Sequence, residues 1–130
     1  MVIIETDSFE DNTNISISDI SKWCKVGHGQ WFDDSHLMKL YYNGTPITDL
    51  IIPDGVEFIN QGFNCCKTIT SLTIPTSVKS ISEYAFNYCS NLTSITYKGT
   101  TAQWEQMNVP PTSLPAGITI TCTNGTLTTA

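Results

Sequence analysis

The chain has 130 residues and a net charge of −6, and its six basic residues are scattered along it. This length suits one domain with a core that buries most of its apolar surface. Charged residues make up only 14% of the chain, while Ser, Thr and Asn are abundant, a mix typical of β-rich coils. Without a basic stripe, nucleic acid and anionic membranes are disfavoured as partners. No apolar run is long enough to cross a bilayer, so no membrane insertion is expected.

The N-terminal segment, residues 1–48, is less regular than the rest of the chain. Short strands are predicted at residues 2–4 and 15–17, the second from its alternation of apolar and polar residues. Asp19 is the predicted N-cap of a short helix that carries Trp23. A hairpin is predicted for residues 40–52, because Asn43-Gly44 supplies the two positive φ angles of a type I′ turn.

Residues 49–97 contain a pattern that is written twice. Residues 49–59 recur 22 positions later as 71–81, and the next apolar positions recur 23 positions later. The paired apolar positions are Leu50 and Leu72, Ile52 and Ile74, Val56 and Val78, Ile59 and Ile81, Phe63 and Phe86, Cys66 and Cys89. A period in the twenties with apolar residues at fixed phases indicates coils that stack on their neighbours. The predicted fold class is therefore α/β, a short right-handed solenoid of β-rich coils with short helical turns, capped at both ends.

Each coil is predicted to contain a first strand, a second short strand and a helical turn whose phenylalanine points into the core. The first strands are predicted at residues 50–52, 72–74 and 95–97, the last belonging to an incomplete third coil. Pro53 and Pro75 end the first two, because proline has no N–H to donate to a neighbouring strand. The second strands are predicted at residues 56–59 and 78–81, and the turns at residues 60–66 and 82–89.

The C-terminal segment, residues 98–130, is predicted to complete the same domain. Thr100 and Gln103 have capping-box spacing, so a helix is predicted over residues 100–107. A closing strand at residues 118–122, a turn at Asn124-Gly125 and a loose tail follow. The spacing from Thr100 to Trp104 equals that from Asp19 to Trp23, so we expect the same capping device at both ends.

Five cysteines cannot all pair with one another inside the chain, and their spacing does not suggest a disulfide framework. Cys66 and Cys89 share one phase of the repeat and are predicted to be small buried core residues. One cluster has metal-ligating chemistry: Cys24, His28, Asp33, Asp34 and His36. Its spacing matches no established zinc motif, so these are predicted to be ordinary loop residues. No catalytic residue, metal or cofactor is expected, and we predict that the chain is not an enzyme.

The pattern Leu-x-Ile-Pro-x-x-Val-x-x-Ile at 50–59 and 72–81, followed by Ala85-Phe86-x-x-Cys89-x-x-Leu92, resembles the BspA-like leucine-rich repeats of bacterial and protist surface proteins. Residues 40–49 and 94–104 resemble segments that flank such repeats, and the resemblance extends over about residues 19–125. The first coil departs from the pattern, with Gly62 where alanine is usual and with an added Cys65. The resemblance implies an adhesion or recognition module that binds proteins or glycans, and it carries over no residue-level function.

Two surfaces are candidates for binding. The first comprises the outward residues on the first strands of the coils, predicted to form a ladder of small polar groups: Asp49, Ile51, Ser71, Thr73, Ser94 and Thr96. Solenoids use such extended sheet surfaces for partners, although a solvated sheet face is an alternative. The second is an aromatic patch: Trp31, Phe32, Tyr41 and Tyr42. Partly exposed aromatic residues favour protein or sugar contacts, although these four would equally serve to seal the N-terminal end.

Two classes of function remain open. The first is a surface-displayed recognition or adhesion module that binds a protein or glycan. The alternative is a structural or decoration subunit of a phage virion or another assembly, either homo-oligomeric or bound to an assembly partner. The first residues lack the charge and apolar run of a signal peptide. The chain is therefore expected in a virion or the cytoplasm, or at the cell surface if a secretion signal has been removed.

Overall fold

The computed structural model of the protein describes residues 5–6, 12–25, 37–64 and 66–129. The strands in these ranges are β1 (Glu5–Thr6), β2 (Asn12–Ile17), β3 (Leu37–Tyr42), β4 (Thr45–Pro46), β5 (Asp49–Ile51), β6 (Phe58–Ile59), β7 (Ser71–Ile74), β8 (Ser80–Ile81), β9 (Ser94–Tyr97), β10 (Thr119–Cys122) and β11 (Gly125–Thr128). The α-helices are α1 (Ile20–Trp23) and α2 (Thr101–Gln106), and 3-10 helices span Gln61–Phe63 and Pro111–Ser113. Within the described ranges, no helix has the length and apolar character needed to cross a membrane.

The repeat places the first strands of successive coils side by side. β5, β7 and β9 pair in parallel, with Leu50 opposite Leu72 and Leu72 opposite Ile95. β10 pairs in parallel with β9, and β11 pairs in antiparallel with β10 at the edge of the sheet. The strand order is therefore β11-β10-β9-β7-β5. The predicted first strands are confirmed to within one residue.

The second strands of the coils form a separate two-stranded parallel sheet, in which β6 pairs with β8. Both are shorter than the sequence predicts, since each begins two residues after the predicted valine. The reason is a turn in which the N–H of Val56 donates to the carbonyl of Pro53 and that of Val78 to the carbonyl of Pro75, each at 3.3 Å. These valines are therefore buried in a turn instead of a strand.

The turns that complete the two coils insert their phenylalanines as predicted. Phe63 and Phe86 are fully buried, and their rings stack with centroids 5.4 Å apart and planes 11° apart. A 3-10 helix forms in the first coil only. The prediction of a helical turn is wrong for the second coil, where Tyr84 and Tyr88 have φ angles of 64° and 61°. Such left-handed backbone interrupts a right-handed helix.

The N-terminal unit consists of β2, α1, β3 and β4. β2 pairs with β3 in parallel, and β3 pairs with β4 in antiparallel. Asp19 is confirmed as the N-cap, because its carboxylate accepts the Lys22 N–H at 3.1 Å. Asn43 and Gly44 have φ angles of 51° and 83°, which confirms the turn. The hairpin's second arm is only Thr45–Pro46, since the chain then passes into β5 of the other sheet. The strand predicted at residues 2–4 lies outside the described residues.

The C-terminal unit, made of β9, α2, β10 and β11, repeats the order of the N-terminal unit. Its strands pair in the same sense, parallel and then antiparallel. Thr100 and Gln103 form the predicted capping box. The prediction of a loose tail is wrong, because Gly125–Thr128 is a strand paired along the whole of β10. The turn occupies residues 123–124, and the carboxamide of Asn124 accepts the N–H of Thr101 at 2.9 Å.

One hydrophobic core extends through the described residues of all three segments, from Ile17 in β2 to Cys122 in β10. Cys66 and Cys89 have no exposed surface, which confirms them as core residues. The four described cysteines are all free thiols. Trp23 packs on Gly62, and its indole N–H donates to the Gly62 carbonyl at 2.9 Å. Trp104 instead meets Tyr97 edge to face, with ring centroids 5.3 Å apart.

Candidate functional site

The six predicted ladder residues lie in two columns across β5, β7 and β9. Asp49, Ser71 and Ser94 are opposite one another, and Ile51, Thr73 and Thr96 form the second column. Ser71 and Thr73 are half-buried, and the other four residues are exposed. Between the columns, Leu50, Leu72 and Ile95 point inward and are at most 1% exposed. Alternation along the strands therefore produces the predicted surface.

The structure extends both columns over two further strands. Thr119 and Thr121 of β10 lie opposite Ser94 and Thr96, and Thr128 and Thr126 of β11 continue the same columns. We call the complete set the hydroxyl face: Asp49, Ile51, Ser71, Thr73, Ser94, Thr96, Thr119, Thr121, Thr126 and Thr128. Strands in a sheet lie about 4.8 Å apart, so five strands span about 19 Å.

Sequence reasoning missed the four threonines for two reasons. Residues 118–122 are predicted to form a strand, but they lack the Leu-x-Ile-Pro pattern that aligns the coils with one another. Residues 126–128 fall in the predicted loose tail. A usable signal was present in the triplets Ser94-Ile95-Thr96, Thr119-Ile120-Thr121 and Thr126-Leu127-Thr128, which share one alternation of hydroxyl and apolar residues.

The hydroxyl face carries little charge. Its outward positions on β7, β9, β10 and β11 are all Ser or Thr, and the one ionisable side chain is Asp49 on β5. Ser71 donates its hydroxyl to the Asp49 carboxylate at 2.5 Å. Ile51 beside them is 52% exposed. The face therefore has an acidic and apolar end at β5 and an uncharged hydroxyl surface over the remaining strands.

A neighbouring column of threonines has a different role. Thr70 donates its hydroxyl to the Thr48 carbonyl at 3.1 Å, and Thr93 donates to the Thr70 carbonyl at 3.3 Å. These two side chains tie one coil to the next. Within the described residues, no such bond to the backbone is made by the hydroxyls of Thr73, Thr96 and Thr121. The hydroxyl face thus presents groups that can bond to a partner.

The predicted aromatic patch is only partly within the described residues, because Trp31 and Phe32 lie outside them. Tyr41 is half-buried and Tyr42 is 38% exposed. They are neighbours in β3, and successive side chains of a strand point to opposite faces. The two tyrosines therefore do not contribute to one surface.

The cluster around Cys24 is also only partly described, since His28, Asp33, Asp34 and His36 lie outside the described residues. Cys24 itself has no exposed surface. Burial, with a smaller contribution from the carboxylate of Asp19, raises the pKa of the Cys24 thiol to about 12. A thiol with this pKa is protonated at neutral pH and is a poor nucleophile or metal ligand. In the described part of the chain, no three His, Cys, Asp or Glu residues group to hold a metal ion.

A concave surface lies elsewhere on the molecule. An open groove of about 600 Å³ separates α1 from the turn that precedes β6. Its lining includes Asp19, Lys22, Lys25, Asp54, Glu57 and Phe58. No residue of the hydroxyl face lines this groove. A smaller cavity of about 190 Å³ has one residue of the face, Thr128, in its lining. The rest of the hydroxyl face lines neither cavity, so it is an open sheet surface suited to a broad contact.

Comparison with known proteins supports the repeat pattern. The family model described as a BspA type leucine-rich repeat region of six copies matches residues 35–108, which is more than half of the chain. The chain therefore belongs to the BspA-type leucine-rich repeat family. The family model covers six copies, whereas the matched residues include two complete coils and the first strand of a third. No curated protein and no solved structure matches this chain.

Membership of this family gives the class of protein. Repeats of this type are typically non-catalytic modules of protein interaction. In this chain the outward positions of the repeat strands are those of the hydroxyl face.

Proposed function

We propose that the protein is a non-enzymatic recognition module that binds a protein or a glycan through the hydroxyl face. In this proposal, the stacked coils are a short right-handed solenoid, and the N-terminal and C-terminal units cap its two ends. A surface-displayed module of this kind would serve in adhesion. The observation that carries the proposal is the continuity of the two columns over five strands, with the residues between the columns packed in or against the core and hydroxyl side chains pointing outward on β7, β9, β10 and β11.

The chemistry of the face supports a neutral, hydrogen-bonding partner surface. Serine and threonine hydroxyls donate and accept, so they bind both backbone amides and sugar hydroxyls. Short side chains also lose little conformational entropy when a partner orders them. The acidic and apolar end at Asp49 and Ile51 would fix the direction in which the partner lies.

A binding screen with paired variants tests this proposal. The purified chain is screened on an oligosaccharide array and against a set of purified extracellular proteins. Thr73→Lys with Thr96→Lys places two charges in the middle of the hydroxyl face, and we expect affinity to fall about tenfold or more, since 1.4 kcal/mol is a factor of ten. Thr76→Lys with Thr112→Lys is the matched control, because both threonines are exposed outside the face. Equal loss in both pairs would contradict the proposal.

A structural subunit of an assembly, such as a phage virion, is the second candidate. Two complete coils are fewer than the roughly three that repeat proteins usually need for stability, and oligomerisation would offset this deficit. β11 is also the last strand of its sheet, with β10 as its one partner among the described strands. Light scattering over a micromolar dilution series separates the candidates. A monomer of 14.3 kDa supports the recognition module, and a closed oligomer that survives dilution supports the assembly subunit.

A further inference from the structure

β11 presents one unpaired edge to solvent. It is the last strand of the five-stranded sheet, and β10 is its one partner among the described strands. The N–H of Thr129 donates to the carbonyl of Ile118 at 2.8 Å, so the backbone of residue 129 faces the β10 side. Backbone groups along an antiparallel strand alternate in direction, so Leu127 also faces β10. The N–H and C=O groups of Thr126 and Thr128 therefore point away from the sheet.

This edge lacks the features that usually keep a strand from pairing with another chain. Such features are charged side chains, proline, a bulge or a covering element. β11 reads Gly-Thr-Leu-Thr, without charge or proline, and its register with β10 is regular over all four residues. Gly125, Thr126 and Thr128 are exposed, so no described element covers the strand. β11 is thus open to further pairing.

The other edge of the same sheet is better protected. β5 has three residues, against four in β11, and it begins with the charged Asp49. Pro53 follows shortly after the end of β5. Charge and proline both disfavour pairing at a sheet edge. Pairing of β5 with the β11 of another copy would also leave a free edge at each end and continue into a filament. The two edges together favour β11 pairing with β11, which closes after two copies.

Both ends of β11 are held in place by hydrogen bonds. At its start, the Asn124 carboxamide accepts the N–H of Thr101 at 2.9 Å and ties the turn to α2. At its end, the hydroxyl of Thr129 donates to the carbonyl of Pro115 at 2.6 Å and accepts the N–H of Ile118 at 2.8 Å. The edge is therefore ordered before a partner arrives, which lowers the entropic cost of binding.

One register of two antiparallel β11 strands is two-fold symmetric. In this register, Thr126 of each copy lies opposite Thr128 of the other, and the two residues exchange a pair of hydrogen bonds. Leu127 then lies opposite Leu127 of the other copy, in a non-hydrogen-bonded pair with Cα atoms about 4.5 Å apart. Leu127 is half-buried and packs against the core. The pairing therefore satisfies the outward backbone groups and covers the remaining surface of both leucines.

We propose that two copies of the chain pair through β11 in this register and form a reversible homodimer. A second copy suits the chain's own stability, because two complete coils are fewer than the roughly three that repeat proteins usually need, and a partner that binds the folded state stabilises it. The contact is small, since β11 supplies four residues per copy and a standard interface has about 20–30 per side. The dimer therefore dissociates on dilution, unlike the dilution-resistant oligomer of an assembly subunit.

The proposed dimer is independent of the ligand that the hydroxyl face binds. The two-fold axis of a continuous sheet is perpendicular to that sheet, so the hydroxyl faces of the two copies lie on the same side. Dimerisation would thus join the two faces into one surface without covering either of them.

Disulfide trapping of the full chain tests the register. Leu127→Cys should form a covalent dimer with oxidised glutathione, because directly opposite residues have Cβ atoms about 4.5–5.5 Å apart. Thr126→Cys is the matched control. Position 126 is more exposed than position 127, but two residues at 126 are diagonal neighbours about 7–8 Å apart. Its covalent dimer should form about tenfold more slowly or not at all, since this separation is too long for a disulfide.

Sedimentation velocity measures the dimer without a cross-link. The wild type should change from monomer to dimer between about 5 μM and about 500 μM, the range of a weak dissociation constant. Thr126→Pro removes an outward N–H and leaves the bonds to β10 in place, as an edge strand tolerates. It should weaken association about tenfold or more, because each copy loses one hydrogen bond. Its melting temperature at low concentration should stay close to that of the wild type.

Four results would overturn the inference. A wild type that stays monomeric at the highest concentration shows that the edge does not pair. Equal rates of cross-linking for Leu127→Cys and Thr126→Cys, or a Thr126→Pro variant that associates as the wild type does, show that the contact lies elsewhere. A Thr126→Pro variant that unfolds shows that this N–H is used within the chain. Ligand binding by the monomer is measured separately at low concentration, so failure of the dimer leaves the proposed function standing.

Discussion

The turns of the two coils lie at the same phase of the repeat but have different neighbours. The residue before the phenylalanine is Gly62 in the first coil and Ala85 in the second. A Cβ at Gly62 would lie 2.9 Å from both the indole nitrogen and the carbonyl oxygen of Trp23. In the second turn, the N–H of Phe86 donates to the carbonyl of Ser113 at 2.8 Å. The repeat thus determines the phenylalanine, and in the first coil the close approach of Trp23 from the N-terminal unit accounts for the glycine before it.

The backbones of the two turns differ for a related reason. The first turn forms a 3-10 helix from Gln61 to Phe63, with Asn60 as its N-cap. The second turn contains left-handed residues at Tyr84 and Tyr88 and forms no helix. A stacked phenylalanine is compatible with both backbones. The comparison shows that the core constrains the inward residues of a coil and leaves its surface free to vary.

The largest expected effect is the loss of either stacked phenylalanine. Phe63→Ala and Phe86→Ala should each lower the free energy of unfolding by about 3–5 kcal/mol, because each leaves a cavity in the core. Since both rings are fully buried and stack on each other, the two losses should agree within about 1 kcal/mol and should not be additive. Urea denaturation measures both. Unequal losses would show that the two turns are not equivalent in the core.

A smaller effect is expected from exchanging the residues before the phenylalanines. Gly62→Ala should destabilise the protein by about 1–3 kcal/mol, because the added methyl group overlaps Trp23. Ala85→Gly should cost about 1 kcal/mol, through backbone entropy. In a Trp23→Ala background, Gly62→Ala should cost less, since the overlap with the indole is gone, but a cost should remain because the backbone carbonyl of residue 23 still lies 2.9 Å from the added Cβ. If Gly62→Ala costs the same in both backgrounds, the indole of Trp23 is not the reason for the glycine.

The burial of the Cys24 thiol in the N-terminal unit also predicts that the stability of the protein depends on pH. The pKa of Cys24 is about 12 in the folded protein, above the 9.0 of an ordinary thiol. At a pH between these two values, the Cys24 thiol is deprotonated in the unfolded chain and protonated in the folded protein. The free energy of unfolding therefore falls as pH rises above about 9.

Each pH unit in this window should cost about 1.4 kcal/mol for this thiol. Burial also raises the pKa of Cys66 and Cys122, so these thiols contribute to the pH dependence of the wild type as well. The effect of Cys24 is therefore the difference in pH dependence between the wild type and Cys24→Ala. Denaturation from pH 8 to pH 11 should give a shallower decline for Cys24→Ala than for the wild type. Equal slopes would mean that Cys24 is accessible to solvent in the folded protein.

The sequence predicts those parts of the fold that depend on local chemistry. Asp19 and Thr100 are recognisable as helix caps because side-chain oxygens satisfy nearby N–H groups. The first strands follow from the repeat and from Pro53 and Pro75. By contrast, the glycine at position 62 is explained by a tryptophan 39 residues earlier in the sequence, a contact that no local pattern reveals. The left-handed tyrosines are equally unpredictable, because bulky residues disfavour that conformation.

The candidate site was predictable to a similar degree. Six of the ten residues of the hydroxyl face follow from alternation on the repeat strands. The other four depend on the pairing of β10 with β9 and of β11 with β10. That pairing is set by tertiary packing of the C-terminal unit and not by the repeat period. Hydroxyl-rich triplets such as Thr126-Leu127-Thr128 are also common in Thr-rich sequences, so they are a weak signal of a strand.

The most direct test of the hydroxyl face is a methyl NMR footprint. Threonine methyl groups are labelled with carbon-13, and a spectrum is recorded with and without a glycan or protein captured in the binding screen. We expect the methyl signals of Thr73, Thr96, Thr119 and Thr121 to shift, while those of Thr76 and Thr112 stay in place. Shifts confined to threonines outside the hydroxyl face, or a chain that captures nothing in the screen, would contradict binding through this face.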